Sequence, residues 1–198
     1  LVTTYGTGYV NENDLCWLGG FPGDGLIEVT GIWAEEIDAL FPTDRNAAVF
    51  EQNSEGLAGT YEVFQLAELV HPQKGCEVLA VYGEDFYKGT PVVTKNRFGK
   101  GVCYHIAART ENPLLDALYD SIIAKHDIEM ALGGEYPLGI TVQQRYGDGE
   151  NYYFVMNFNG EAKQLVLPGG IFYDHVSQQE IDSVLQLDPY GVAILVRR

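Results

Sequence analysis

One stretch of this chain, residues 112–125, has clear helical periodicity, and the segments around it are mostly short β-forming runs broken by glycine and proline. Asn112-Pro113 offers an N-cap followed by a first-turn proline, and Leu114, Leu115, Leu118, Ile122 and Ile123 then recur near helical spacing. Before it, Thr60 to Val70 and Cys76 to Tyr82 read as neighbouring strands around the turn Pro72-Gln73-Lys74-Gly75. Pro91 to Asn96 and Val102 to Ala107 read as a hairpin with the basic, glycine-rich tip Arg97-Phe98-Gly99-Lys100-Gly101. A strand region closing onto one amphipathic helix predicts an α/β layer.

The opening Leu1-Val2-Thr3-Thr4-Tyr5 suits a buried strand, and a long turn-rich loop follows it, with one or two helical turns expected over Leu26 to Ile32. After Gly133-Gly134 the pattern changes. Ile140 to Tyr146, Tyr152 to Asn157, Gln164 to Leu167 and Val192 to Val196 are strand-like and no convincing helix remains, which predicts a small antiparallel sandwich. The boundary between the two parts is placed between Asp127 and Gly134, giving domains 1–130 and 131–198.

Charge narrows the partners. Twenty-eight acidic residues against 12 basic ones give a net charge of -16, which repels a nucleic-acid backbone and leaves neutral sugars unpenalised. No run approaches the roughly 18 apolar residues of a membrane-spanning helix, so no membrane partner is expected. Cys16, Cys76 and Cys103 are too few and too far apart for a disulfide framework, and predict reduced thiols in a cytoplasmic protein. The chain lacks an initiator Met and a signal pattern, and its start reads as a cut through a larger protein.

Catalytic candidates are few. Glycoside hydrolysis needs two carboxyl groups roughly 5–10 Å apart. Glu35-Glu36 is the adjacent acidic pair, but neighbours in a strand point to opposite faces, so a solvated or structural pair is the expected reading. His71, His105, His126 and His175 have no metal-site spacing, and no metal or cofactor is expected. Cys103 and His105 share a strand face by alternation, which admits a Cys-His nucleophile pair or, more ordinarily, two packed core residues. Gly99-Lys100-Gly101 runs into a β-rich segment and reads as a turn rather than a phosphate loop. Trp17, Phe21, Trp33, Phe86 and Tyr87 lie in or near loops, where they serve sugar stacking, an intersubunit contact, or ordinary packing.

Ordered blocks of sequence carry a family resemblance. Tyr5-Gly6-Thr7-Gly8-Tyr9-Val10-Asn11-Glu12-Asn13-Asp14, Leu18-Gly19-Gly20-Phe21-Pro22-Gly23, Gly31-Ile32-Trp33-Ala34-Glu35-Glu36-Ile37-Asp38, Tyr82-Gly83-Glu84-Asp85-Phe86-Tyr87-Lys88-Gly89-Thr90-Pro91 and Asn96-Arg97-Phe98-Gly99-Lys100-Gly101 resemble the middle domain of the family 42 glycoside hydrolases, the bacterial β-galactosidases. Gly139-Ile140-Thr141-Val142, Val155-Met156-Asn157-Phe158 and Leu187-Asp188-Pro189-Tyr190-Gly191-Val192 are similar to that family's C-terminal β-domain.

The resemblance implies a flavodoxin-like, class I glutamine amidotransferase-like α/β fold, incomplete at its N-terminus, followed by the β-sandwich. It implies a homotrimer, a catalytic TIM barrel elsewhere in the parent protein that binds the galactoside, and both catalytic glutamates in that barrel. Catalytic residues in this chain are therefore expected to be none, and the five aromatics become possible interface residues. At Asn11 the family often has Asp. A stand-alone carbohydrate-binding module and a Cys-His hydrolase using Cys103 or Cys76 are the rival readings.

Overall fold

The computed structural model describes residues 1–134 and 136–198, which form two compact units, Leu1–His126 and Asp127–Arg198. The first unit runs β1 (Val2–Thr4), α1 (Leu26–Thr30), β2 (Ile32–Ala39), β3 (Asn46–Phe50), β4 (Gly59–Pro72), β5 (Glu77–Tyr82), β6 (Pro91–Phe98), β7 (Gly101–Ile106), β8 (Ala108–Thr110) and α2 (Asn112–Lys125). Its strands form one sheet in the order β1-β7-β6-β5-β3-β4-β2, with β8 pairing β4.

The expected α/β flavodoxin-like class does not hold: strands take up 47% of the chain and helices 11%. In this sheet β1 and β7 run parallel, while β2–β4, β3–β4, β3–β5, β5–β6 and β6–β7 pair antiparallel. A parallel doubly wound sheet needs a crossover of about a dozen residues or more between strands, usually a helix. The connections 40–45, 51–58, 73–76 and 83–90 are too short for that, so the chain turns back on itself instead. The expected adjacency of the 60–70 and 76–82 segments is also corrected, because β3 inserts between β4 and β5.

The helix at 112–125 forms where the apolar spacing places it and packs Leu114, Leu118 and Ile122 into one core with Ala48, Val63, Leu79, Tyr82, Val92 and Ile106 of the sheet. Truncating a fully buried leucine such as Leu118 costs about 2–5 kcal/mol, through lost transfer energy and the cavity left behind. A smaller core of Ile32, Ala34, Val70 and Ala107 is covered by Tyr9, Phe21 and Cys76, and this cover fixes the loop between β1 and α1.

The second unit carries β9 (Ile140–Gly147), β10 (Glu150–Asn157), β11 (Lys163–Val166), β12 (Phe172–Asp174), β13 (Gln179–Ile181), β14 (Val184–Leu187) and β15 (Val192–Arg197). Five strands pair in the order β13-β12-β15-β10-β9, and β11 pairs β14 separately. All these pairings are antiparallel. Val155, Phe172 and Leu195 of the larger sheet share a core with Leu165, Leu185 and Leu187 of the smaller. Asp148 and Gly149 both take positive φ between β9 and β10, as a tight hairpin turn demands. A short 3-10 turn at Ala131–Gly133 precedes these strands.

Candidate assembly surface

The loop between β1 and α1 is built by a net of local bonds. The Asn11 side-chain oxygen accepts from the Asn13 and Leu15 amides at 2.9 and 3.1 Å, closing a turn that an aspartate oxygen at this position would close as well. The Trp17 amide donates to the Tyr9 carbonyl at 3.0 Å, and the Gly23 amide to the Gly8 carbonyl at 2.8 Å. Tyr9 and Phe21 stack with centroids 4.3 Å apart, and Phe21 bridges the edge strand at Ala34.

Glu68 of β4 holds this loop from beneath. One carboxylate oxygen accepts from the Tyr9 hydroxyl at 2.7 Å and the Gly6 amide at 3.1 Å, and the other meets Nε2 of His105 at 2.8 Å. Burial, followed by the bond to Glu68, pushes the Tyr9 hydroxyl well above its ordinary titration range. Sequence reasoning did not single out Glu68. The available signal was a carboxylate inside the apolar run Leu66-Ala67-Glu68-Leu69-Val70, because a buried acid must be paired.

The five aromatics fall in different settings. Trp17 is half-buried, and a Cβ at Gly23 would sit 2.1 Å from its indole, so only glycine permits that approach. Trp33, 38% exposed on β2, stacks on His71 at 4.9 Å. Phe21 is spent on Tyr9 and the sheet edge. Phe86 is 74% exposed at a turn braced by Tyr87, which is 2% exposed and packs edge-on against both Phe86 and Tyr82. Trp17 lies against Gly23 and Trp33 against Gly20 of the same loop, Phe21 faces Tyr9, and Phe86 and Tyr87 lie on a separate turn.

Beside Trp17, Leu18 is 97% exposed, and Val10 and Leu15 of the same loop are exposed as well, with the polar Glu12, Asn13 and Asp14 between them. A cavity of about 390 Å³ opens here, lined by Trp17, Leu18, Pro22, Asp24, Ile27 and Glu28 among others. Exposed apolar patches of this kind mark contact surfaces.

The catalytic candidates come apart. Glu35 pairs with His71 at 2.7 Å, and both Glu35 and Glu36 are exposed on an edge strand with a bulge between Ala34 and Glu36. Cys103 is buried, and burial pushes its thiol up, away from a reactive thiolate. The His105 nitrogens go to Glu68 and to the Thr3 hydroxyl at 3.0 Å, so Cys103 and His105 do not form a nucleophile pair. Among the described residues no three His, Cys, Asp or Glu side chains come together as a metal site, and no helix is long and apolar enough to cross a membrane.

Residues 1–129 match the family model of the β-galactosidase trimerisation domain, and residues 139–197 match that of the β-galactosidase C-terminal domain. The whole chain is 44% identical to part of β-galactosidase Pbg of Clostridium perfringens and 42% identical to part of BglY of Alicyclobacillus acidocaldarius. It superposes on the crystal structure of a β-galactosidase from Bacillus circulans sp. alkalophilus with a TM-score of 0.79 at 40% identity, covering 100% of this chain and 29% of that one. The chain spans 29% and 28% of the two curated relatives' lengths.

Proposed function

From the premise that the chain belongs to the glycoside hydrolase family 42 β-galactosidases, matching their trimerisation and C-terminal domains, we propose that it is the assembly portion of an enzyme that hydrolyses terminal β-D-galactosides. The observation that carries this reading is the ordered match to two non-catalytic domain models along almost the whole chain, on a structure whose acidic pair Glu35-Glu36 lies open on an edge strand. The catalytic carboxylates and the galactoside then belong to a barrel elsewhere in the intact polypeptide.

The assembled state in this reading is a homotrimer, with Trp17 and Trp33 anchoring one contact patch and Phe86 projecting as a second. Tyr87 and Phe21 support these from behind by packing. Three free cysteines support a cytoplasmic setting, since an oxidising compartment disfavours unpaired thiols.

The test is an assay of residues 1–198 alone and of the intact polypeptide against a nitrophenyl β-D-galactoside. The intact protein hydrolyses it and the 198-residue piece does not. Turnover by the piece overturns the assembly reading.

A further inference from the structure

Two oppositely charged features of the first unit have no side-chain partner among the described residues. The β6–β7 hairpin ends in Arg97-Phe98-Gly99-Lys100, all exposed, with Phe98 48% accessible between two cations. Among the described residues neither Arg97 nor Lys100 makes a side-chain hydrogen bond or an ion pair, in a chain with only 12 basic residues. The Trp17 cavity is the counterpart, with a mixed lining in which Trp17, Leu18 and Ile27 stand beside the exposed acids Asp24 and Glu28. Those carboxylates are likewise unengaged among the described residues.

The two features are held in fixed relation. Asn96, two residues before Phe98, donates to the carbonyls of Glu28 and Val29 at 2.9 and 3.0 Å, which ties the hairpin to α1. Gly31 has φ +70, and a Cβ there would lie 2.4 Å from Asn96, so this junction is tightly packed. The basic tip is thus tied to the helix that carries Glu28, and none of Arg97 to Lys100 lines the pocket.

We propose that the Arg97-Phe98-Gly99-Lys100 tip of one copy of this chain seats in the Trp17–Glu28 cavity of the next copy. The inference rests on the trimer reading above. A ring of three needs a heterologous contact, in which two different surfaces meet and the rotation closes. A knob and a pocket of opposite charge on the same molecule supply those two surfaces, with Phe98 as the apolar anchor and the charge pairs fixing orientation.

The test uses the intact polypeptide and sedimentation velocity. The tip variant is Arg97→Glu with Lys100→Glu. The cavity variant is Asp24→Asn with Glu28→Lys, asparagine being chosen because Asp24 has φ 56 and asparagine tolerates that conformation. Each variant alone is expected to weaken assembly at least ten-fold, and all four substitutions together to restore it. An equal mixture of the two variants assembles less well than the combined chain, because a ring of three cannot alternate and keeps at least one mismatched contact.

Restoration by the combined variant also demonstrates that the substituted chains fold. If the wild type is trimeric and neither variant alters its mass, or the combination fails to restore it, the knob-and-pocket contact is wrong and the trimer stands. A wild type that sediments as one copy at every concentration removes the trimer reading itself.

Discussion

Glu68 and His105 form a buried pair, Oε2 to Nε2 at 2.8 Å, with the two side chains 1% and 2% exposed. Glu68 also receives the Tyr9 hydroxyl and the Gly6 amide, so one carboxylate joins strands β4 and β7 to the loop between β1 and α1. Replacing Glu68 by Ala strands His105, Tyr9 and the Gly6 amide together. The expected cost is about 3–5 kcal/mol in denaturant unfolding, as for other buried pairs broken on one side. A loss below about 1 kcal/mol would mean that the pair does not hold the loop.

Glu55 predicts an acid limb in the stability profile. Burial opposes its ionisation, but hydrogen bonds from Lys95 and Lys125 outweigh that and hold its carboxyl at about 2, against an ordinary 4.5. A depressed folded value contributes stability that is whole above 4.5 and is lost as pH falls toward 2. Glu55→Gln is expected to cost about 2 kcal/mol at neutral pH and to flatten the profile in that window. Urea unfolding at a series of pH values checks both; an unchanged slope contradicts the assignment.

Gly23→Ala tests the loop architecture directly. The added methyl overlaps the Trp17 indole at 2.1 Å and has no flexible neighbour to displace. A stability loss of about 1–3 kcal/mol is expected, with a shift in tryptophan emission as Trp17 leaves its seat. Unchanged emission and stability would show that the loop tolerates another packing.

In the second unit Asp174 accepts from the Val176 and Ser177 amides, the Ser177 hydroxyl and the Ile194 amide, at 2.6 to 3.0 Å. Asp174 is 3% exposed, so Asp174→Ala leaves several buried donors unpaired. A loss of about 2–3 kcal/mol is expected by thermal unfolding, and Asp174→Asn, which keeps one acceptor, costs less.

Local signals were legible in the sequence, and long-range pairings were not. The α2 helix was readable because Leu114, Leu118 and Ile122 repeat at its period, and the β6–β7 hairpin because its strands adjoin their own turn. The sheet order was hidden: β3 reaches its place between β4 and β5 through pairings that no local pattern encodes. Strand β2 was missed because the bulge beside Glu35-Glu36 breaks its alternation. The short strands β12 and β13 carry too few residues to show a period.

The candidate surface was legible in part. Trp17 and Trp33 stood out as aromatics in a turn-rich segment, but Tyr87 follows Phe86 directly and only the fold reveals that one is buried and the other exposed. The apolar character around the pocket came from Leu18, a residue type that sequence reading assigns to cores by default.

Sedimentation of the intact polypeptide that carries this chain decides whether three copies associate. A species of three copies is expected at micromolar concentration. A single-copy species at every concentration would contradict it.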